Sequence, residues 1–238
     1  MERTCNSNVA LDTSLPELGL KAFEVVAPIR VNKSISYRFT KRAFDMIASI
    51  LALAILMPVL LLTALFIVLE DHGPVLFIQK RVGKNGKIFS MYKFRSMKVG
   101  ADKLHEKMKA QYGCSEVSFK LKEDPRNTKV GKIIRATNID ELPQLINILK
   151  GDMSFVGPRP LPVYEYEEEQ QTYNGKYNAR YGVPQGLTCI WQISNRSMHE
   201  FEDRMQMDVD YAEKCSISMD LKLLVQTFIY CLLGKASY

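Results

Sequence analysis

Asp140 and Glu141 stand side by side in the stretch "TNIDELPQL", and two adjacent carboxylates can bind a metal, move a proton or attack an electrophile. Leu142, Leu145, Ile146 and Leu149 follow at the i, i+3, i+4, i+7 spacing of one amphipathic helix face, and Gly151 ends the run. The pair therefore falls at a helix N-terminus, where two roles are open. One is structural. Asn138-x-x-Glu141 has the form of a capping box, and Asp140 as the N-cap itself would put Pro143 in the first turn. The other is chemical. A helix N-terminus stabilises a carboxylate anion and a bound divalent cation does so further, so Asp140 would be ionised at neutral pH, as a nucleophile must be. Glu141 would then hold the metal or act in proton transfer.

The flanking blocks strengthen the chemical role. "GDMSFVGPRPLP" sets Arg159 between two prolines and after a glycine, on backbone stiffened by fixed φ angles. An arginine fork held this way suits a phosphate; the alternative is a rigid surface turn. Lys93 and Arg95, two apart in "YKFRSMK", share one face of a predicted strand. They either bind a diphosphate or guard a sheet edge. The five cysteines are far apart with no C-x-x-C, and the three histidines are scattered. That pattern argues for a reducing compartment and against zinc or a disulfide framework, so any metal should be a hard, oxygen-held cation such as Mg²⁺.

These residues need elements to carry them. "PVLFIQKRVGKNGKIFSMYKF" reads as a β-hairpin turning at Gly83-Lys84-Asn85-Gly86. The glycines do not make a phosphate loop, because G-x-x-x-x-G-K-[ST] is absent. "ADKLHEKMKAQYG" has the look of a polar surface helix, and a turn at Asp124-Pro125 opens a basic stretch reaching Arg135. Earlier in the chain, no charge occurs between Met46 and Leu69. At ~1.5 Å per residue that run is long enough to cross a hydrocarbon core of about 30 Å. Pro58, near its middle, has no N–H to give the Ala54 carbonyl. Basic residues flank both ends: Lys33, Arg38, Lys41 and Arg42 before, Lys80, Arg81, Lys84 and Lys87 after. Basic flanks prefer the cytoplasmic side, so a re-entrant hairpin bending at Pro58 is favoured over a straight span. The first residues are no signal peptide, having acidic residues and no apolar h-region. The net charge of +6 suits an acidic partner: nucleic acid, anionic lipid or a phosphorylated substrate. No base-reading motif is present, so nucleic acid is not an expected partner.

In order along the chain, "KRAFDMIAS", the apolar run with its proline, "GPVLFIQKRVG", "YKFRSMK", "IDELPQLINILKGDMSFVGPRP", "GLTCIWQIS" and "SISMDLKLL" resemble the bacterial sugar transferase family, the monotopic phosphoglycosyl transferases, from about Arg38 to Thr227. The likeness is to the short form with the catalytic core only. It implies transfer of a sugar-1-phosphate from a UDP-sugar to polyprenyl (undecaprenyl) phosphate at the cytoplasmic face of the bacterial inner membrane. This would be the first membrane step of exopolysaccharide, capsule or other surface-glycan assembly, with downstream glycosyltransferases taking the product. It also implies Asp140 as nucleophile, a covalent aspartyl-phosphosugar, Glu141 as its partner and Mg²⁺ held by the two. Lys93, Arg95, Arg135 and Arg159 match basic positions expected near the diphosphate. Asp208 and Tyr211 match a D-x-x-Y motif near the site, and Arg196 matches the arginine after "WQIS". Three departures stand out: Gln185 where the family has proline, Asn195 before Arg196 where it has glycine, and Met57 before Pro58 where serine is common.

The expected architecture is α+β and mostly helical: a re-entrant membrane helical hairpin and a compact cytoplasmic domain with a small β-hairpin. Residues 1–36 form a loosely ordered arm, 37–72 a membrane-associated helix broken at Pro58, and 73–238 the catalytic domain with a C-terminal interfacial segment. Two rivals stay open. One is a metal-dependent glycosyltransferase without a covalent intermediate; the other is a non-enzymatic, basic, membrane-anchored binding module.

Overall fold

The computed structural model describes residues 10–11, 34–101, 124–194 and 200–232. Most of the expected N-terminal arm, all of the expected polar surface helix except Ala101, and Arg196 with Asn195 lie outside the described residues. What remains is mostly helical with two small sheets, the α+β class expected.

The apolar run becomes α1, Ile35–Asp71, opened by Ser34, whose hydroxyl accepts from the Tyr37 N–H. The expected break at Pro58 is not there: α1 is one continuous helix running through the proline. Pro58 is exposed on its outer side, so its ring meets no packed neighbour across the helix. By length and composition α1 could cross a membrane. Yet its inner stripe meets the rest of the protein along its whole length. Ala52, Leu53 and Leu56 pack on Phe89, Met91, Leu145, Ile148 and Met153. Leu60 and Ala64 lie with Ile67 against Phe94 and Ile134. Its opposite face, from Ile35 through Ile47, Ile55 and Leu62 to Leu69, is exposed and apolar.

The predicted hairpin forms as β2, Leu76–Val82, antiparallel to β3, Ile88–Phe94, with β1, Ala10–Leu11, parallel on the outer side of β2. Asn85 and Gly86 both take positive φ, the conformation for which an Asn-Gly turn is suited. The second sheet pairs β4, Met153–Val156, in parallel with β5, Gln185–Thr188. Just past β4 the chains touch backbone to backbone: a Cβ on Gly157 would lie 2.2 Å from the Pro184 carbonyl oxygen, so only glycine fits.

The helices follow as α2 Lys129–Ala136, α3 Gln144–Lys150, α4 Val163–Tyr173, α5 Ile190–Ile193, α6 Phe201–Lys214 and α7 Ile217–Leu232. Long-range caps tie the short ones to α1. The Glu70 carboxylate accepts the N–H groups of Lys129 and Val130 at the start of α2, at 2.6 and 3.0 Å. Arg42 donates to the Ile148 and Leu149 carbonyls at the end of α3, at 2.7 and 2.8 Å. Gly151, at φ 91°, ends α3 as the sequence predicts. The predicted apolar face needs one correction. Leu145 is buried, but Ile146 and Leu149 are exposed, and Ile148, Gln144 and Asn147 are the residues turned inward. α3 is short and lies against β3 and α1, so its polar inner residues serve the site rather than an oily stripe. A second exposed apolar stripe runs along α7 through Leu221, Val225, Phe228 and Ile229.

Candidate active site

Asp140 and Glu141 sit in a 3-10 turn, Ile139–Glu141, one turn ahead of α3. Neither capping arrangement is formed. Asn138 has a left-handed backbone and its side chain makes no cap, and Pro143 occupies the N-cap of α3. Both carboxylates are buried, each residue being 7% exposed.

The two are held very differently. Glu141 Oε1 accepts from Lys93 Nζ at 3.0 Å and from Arg159 Nη2 at 2.7 Å. Burial pushes the Glu141 carboxyl up, but the charges of Arg159 and Lys93 and their hydrogen bonds outweigh it and hold it far below the usual glutamate range. Asp140 Oδ1, by contrast, is buried with no hydrogen-bond partner among the described residues. Burial is the largest influence on Asp140 and pushes its carboxyl up. Lys93 pulls it back, the Glu141 charge pushes it further up, and Arg135 and Arg159 pull it down; the balance stays above the ordinary aspartate value. A buried carboxylate oxygen left unpaired is costly, and a ligand can complete it; Asp208 Oδ1 and Glu169 Oε1 are unpaired too, so what sets Asp140 apart is the ring of cations around it. The donors here are all oxygen, which suits a hard divalent cation. Among the described residues no cluster of three or more metal-ligating side chains exists, so an ion held by Asp140 and Glu141 would complete its shell with substrate oxygens and water.

Several elements fix this geometry. Lys93 lies near the end of β3. Asn147, fully buried on α3, accepts from the Tyr92 N–H at 3.0 Å and donates to the Ser90 carbonyl at 2.7 Å, locking the carboxylate-bearing segment to that strand. Arg159 projects from the loop after β4. Asp45 of α1 receives the Ser154 hydroxyl and the Phe155 N–H, both at 3.1 Å, at the root of that loop. Arg135, near the end of α2, donates to Asn127 at 3.4 Å and acts on Asp140 through its charge.

The structure thus brings Lys93, Arg135 and Arg159 to the carboxylate pair. Arg95 it places elsewhere. Its guanidinium makes a two-pronged ion pair with Asp71 and donates to the Pro74 and Met97 carbonyls, securing the end of α1. Lys93 is the last-but-one residue of β3 and Arg95 lies beyond the strand's end, which is why the shared face predicted for them does not hold. Asp208 is 1% exposed, paired with Arg180 at 2.7 Å, and takes a hydrogen bond from the backbone of Arg159. Tyr211, one turn on, donates to Asp220 at 2.6 Å. Two site residues escaped the sequence reading. Arg81, in the "KRVG" end of β2, donates to the Pro160 carbonyl at 3.0 Å, and burial together with the Arg159 charge takes it down to about 10. Arg180 was not singled out at all. The signal available for Arg81 was a Lys-Arg pair at the end of an otherwise apolar hairpin strand; Arg180, in a polar loop, gave none.

A family model described as bacterial sugar transferase matches residues 36–234, and the chain belongs to that family. It is 42% identical over 206 residues to a galactosyl transferase, CpsE, of Streptococcus agalactiae, covering 85% of this chain and 44% of that protein. With the undecaprenyl-phosphate galactose phosphotransferase of Salmonella typhimurium it shares 39% identity over 196 residues, or 81% of this chain and 40% of the relative. An exopolysaccharide production protein, ExoY, of Sinorhizobium fredii is 36% identical over 203 residues and is covered more fully, with 84% of this chain and 88% of the relative aligned. The chain therefore spans less than half of the first two relatives.

Proposed function

We propose that this protein transfers a sugar-1-phosphate from a UDP-sugar to undecaprenyl phosphate through an aspartyl-phosphosugar on Asp140. The observation that carries the reading is the unpartnered, buried Oδ1 of Asp140 beside a Glu141 whose Oε1 already binds Lys93 and Arg159. One carboxylate is free to form a bond while its neighbour keeps two cations in place. The relatives' names, which include a UDP-glucose:undecaprenyl-phosphate glucose-1-phosphate transferase of Escherichia coli, supply the donor and acceptor classes.

In the first step an Asp140 carboxylate oxygen bonds to the β-phosphorus of the donor. The bond from that phosphorus to the α–β bridging oxygen breaks, and uridine monophosphate leaves with the oxygen and its electron pair. In the second, a phosphate oxygen of the lipid acceptor bonds to the same phosphorus and the Asp140 carboxylate is released. Lys93, Arg135 and Arg159 offset the charge that gathers on the phosphoryl oxygens. Mg²⁺ held by Asp140 and Glu141 would add Lewis-acid neutralisation of the diphosphate.

The membrane reading rests on α1. Lys41 and Arg42 dock one end and Glu70 and Asp71 the other, onto the same body that bears the carboxylates. A helix attached to one polar body at both ends cannot place those ends on opposite sides of a bilayer. We therefore read α1 as lying along the cytoplasmic side of the inner membrane, with its outward apolar face in lipid and the α7 stripe lying in the interface. Cysteine labels placed near Ser34 and near His72 should react only from the cytoplasmic side, and opposite-side labelling would defeat this topology.

The decisive experiment incubates the protein with a panel of UDP-sugars and no lipid acceptor, then takes the intact mass. A sugar-phosphate adduct present in the parent and missing in Asp140→Asn is the expected result. No adduct under any quench, with product still formed on adding acceptor, would favour direct transfer.

A further inference from the structure

Arg159 owes its position to groups that never reach Glu141. Arg180 is fully buried. Its Nη2 donates to the Arg159 carbonyl at 2.7 Å and to Asp208 Oδ2 at 2.7 Å. Its Nη1 donates to the Tyr181 hydroxyl at 2.8 Å, which in turn donates to the buried Glu169 at 3.2 Å. From the opposite side Arg81 takes the next carbonyl, that of Pro160. Consecutive carbonyls of the Arg-Pro pair are thus gripped by two arginines from separate parts of the fold. Two further backbone bonds, Gly157 N–H to the Thr188 carbonyl and Gly186 N–H to the Pro158 carbonyl, fix the loop's base at 3.1 and 2.8 Å.

We infer that Arg180, held by Asp208, is the positioning residue that aims the Arg159 guanidinium at the carboxylate pair. A buried ion pair is weak evidence for stability, since a well-packed apolar replacement often does as well. What the pair provides here is direction. The planar fork of an arginine can serve a carboxylate, a carbonyl and a hydroxyl at once, which the point charge of a lysine cannot. The prolines on either side of Arg159 stiffen its backbone, so a hold on the carbonyl is carried to the side chain with little slack. Asp208, which also takes a hydrogen bond from the Arg159 backbone, thereby acts on the reaction through Arg180 and Arg159 rather than by touching phosphate.

The inference rests on the proposed function, and a double-mutant cycle separates the two. Full-length parent, Asp208→Asn, Arg159→Met and the double variant are assayed in lipid nanodiscs for uridine monophosphate release from the UDP-sugar. Asp208→Asn should lower kcat/KM by about 100-fold, the scale expected when a catalytic group is displaced by an ångström. In the Arg159→Met background the same change should cost no more than about twofold, because the group it aims is gone. Losses that multiply in the double variant would mean a general structural role and overturn the inference. Should Asp208→Asn fail to fold, Tyr181→Phe replaces it by removing one acceptor of the fork. A smaller loss absorbed by Arg159→Met supports the inference, while a parental kcat/KM or a multiplied loss overturns it. A parent that releases no monophosphate from any UDP-sugar removes the proposed function and this inference together; release with multiplied losses removes the inference alone.

Discussion

Two buried carboxylate centres in this protein are built in opposite ways. Asp220, at the start of α7, accepts from Tyr211 at 2.6 Å on one oxygen and from Lys41 at 2.8 Å and Tyr37 at 3.0 Å on the other. Lys41 and Tyr37 belong to α1 and Tyr211 to α6, so this centre is a joint of three helices with both oxygens occupied. Asp140 lies among Lys93, Arg135, Arg159 and Glu141, yet one of its oxygens has no partner. Completed charge networks rigidify, whereas incomplete ones carry a cost that a ligand can relieve. The first centre is therefore read as a clamp and the second as a place where chemistry happens.

The widest gap between them should appear in turnover. Asp140→Asn is expected to reduce phosphosugar transfer by about 10⁴-fold or more while keeping a cooperative melt. Asp220→Ala should instead cost about 3–5 kcal/mol of stability, the penalty for breaking a buried pair, with the folded fraction still turning over. If Asp220→Ala loses activity without losing melting temperature, the distinction between clamp and site fails.

A smaller effect divides Asp140 from its own neighbour. Asp140→Asn removes a buried charge whose burial outweighs the pull of the cations around it and should raise stability by about 1 kcal/mol, a few degrees in Tm for a chain of this size. Glu141→Gln strips two cations of their partner and should lower stability by about 2 kcal/mol. Paired thermal melts in a chelating buffer test the opposite signs, and shifts in the same direction would count against the assignment of roles.

The same pair predicts a pH signature. Asp140 holds its proton more tightly folded than unfolded, so its ionisation destabilises the fold as pH rises from the ordinary aspartate value through its raised folded value. Glu141 is depressed, so its contribution is fully present above the ordinary glutamate value and is lost as pH falls towards the folded one. The stability gain of Asp140→Asn should accordingly shrink on acidification to about pH 4, and denaturant melts from pH 4 to 7 would reveal it. The smallest expected change is Tyr37→Phe, which removes one of three donors to Asp220. About 1 kcal/mol of stability should go, with kcat/KM unaltered.

Much of this protein is legible in its linear order. The hairpin declared itself through Asn85-Gly86, the end of α3 through Gly151, and α1 through an uncharged run that no soluble core helix requires. Asp140, Glu141, Lys93 and Arg159 were marked by residue type and local spacing, signals that depend on a few neighbouring residues, and Arg135 by the family resemblance. Long-range contacts were not legible. Arg95 looked like the companion of Lys93, but the strand ends between them and Asp71, 24 residues earlier, claims it. Asp208 looked like a site residue and proved to be buried against Arg180. The proline at position 58 suggested a broken helix, yet packing along the whole inner stripe accompanies a continuous one.

By itself, the sequence determined the chemical inventory: two adjacent carboxylates, a set of cations and a long apolar run. Only the tertiary structure decided which carboxylate would bind two cations directly and which would keep an unpaired oxygen. That choice depends on distances between β3, the turn before α3 and the loop after β4, segments far apart in the chain. Hydrogen bonds and buried charges act over a few ångströms of space, and no local pattern of residues encodes which distant donors will arrive there.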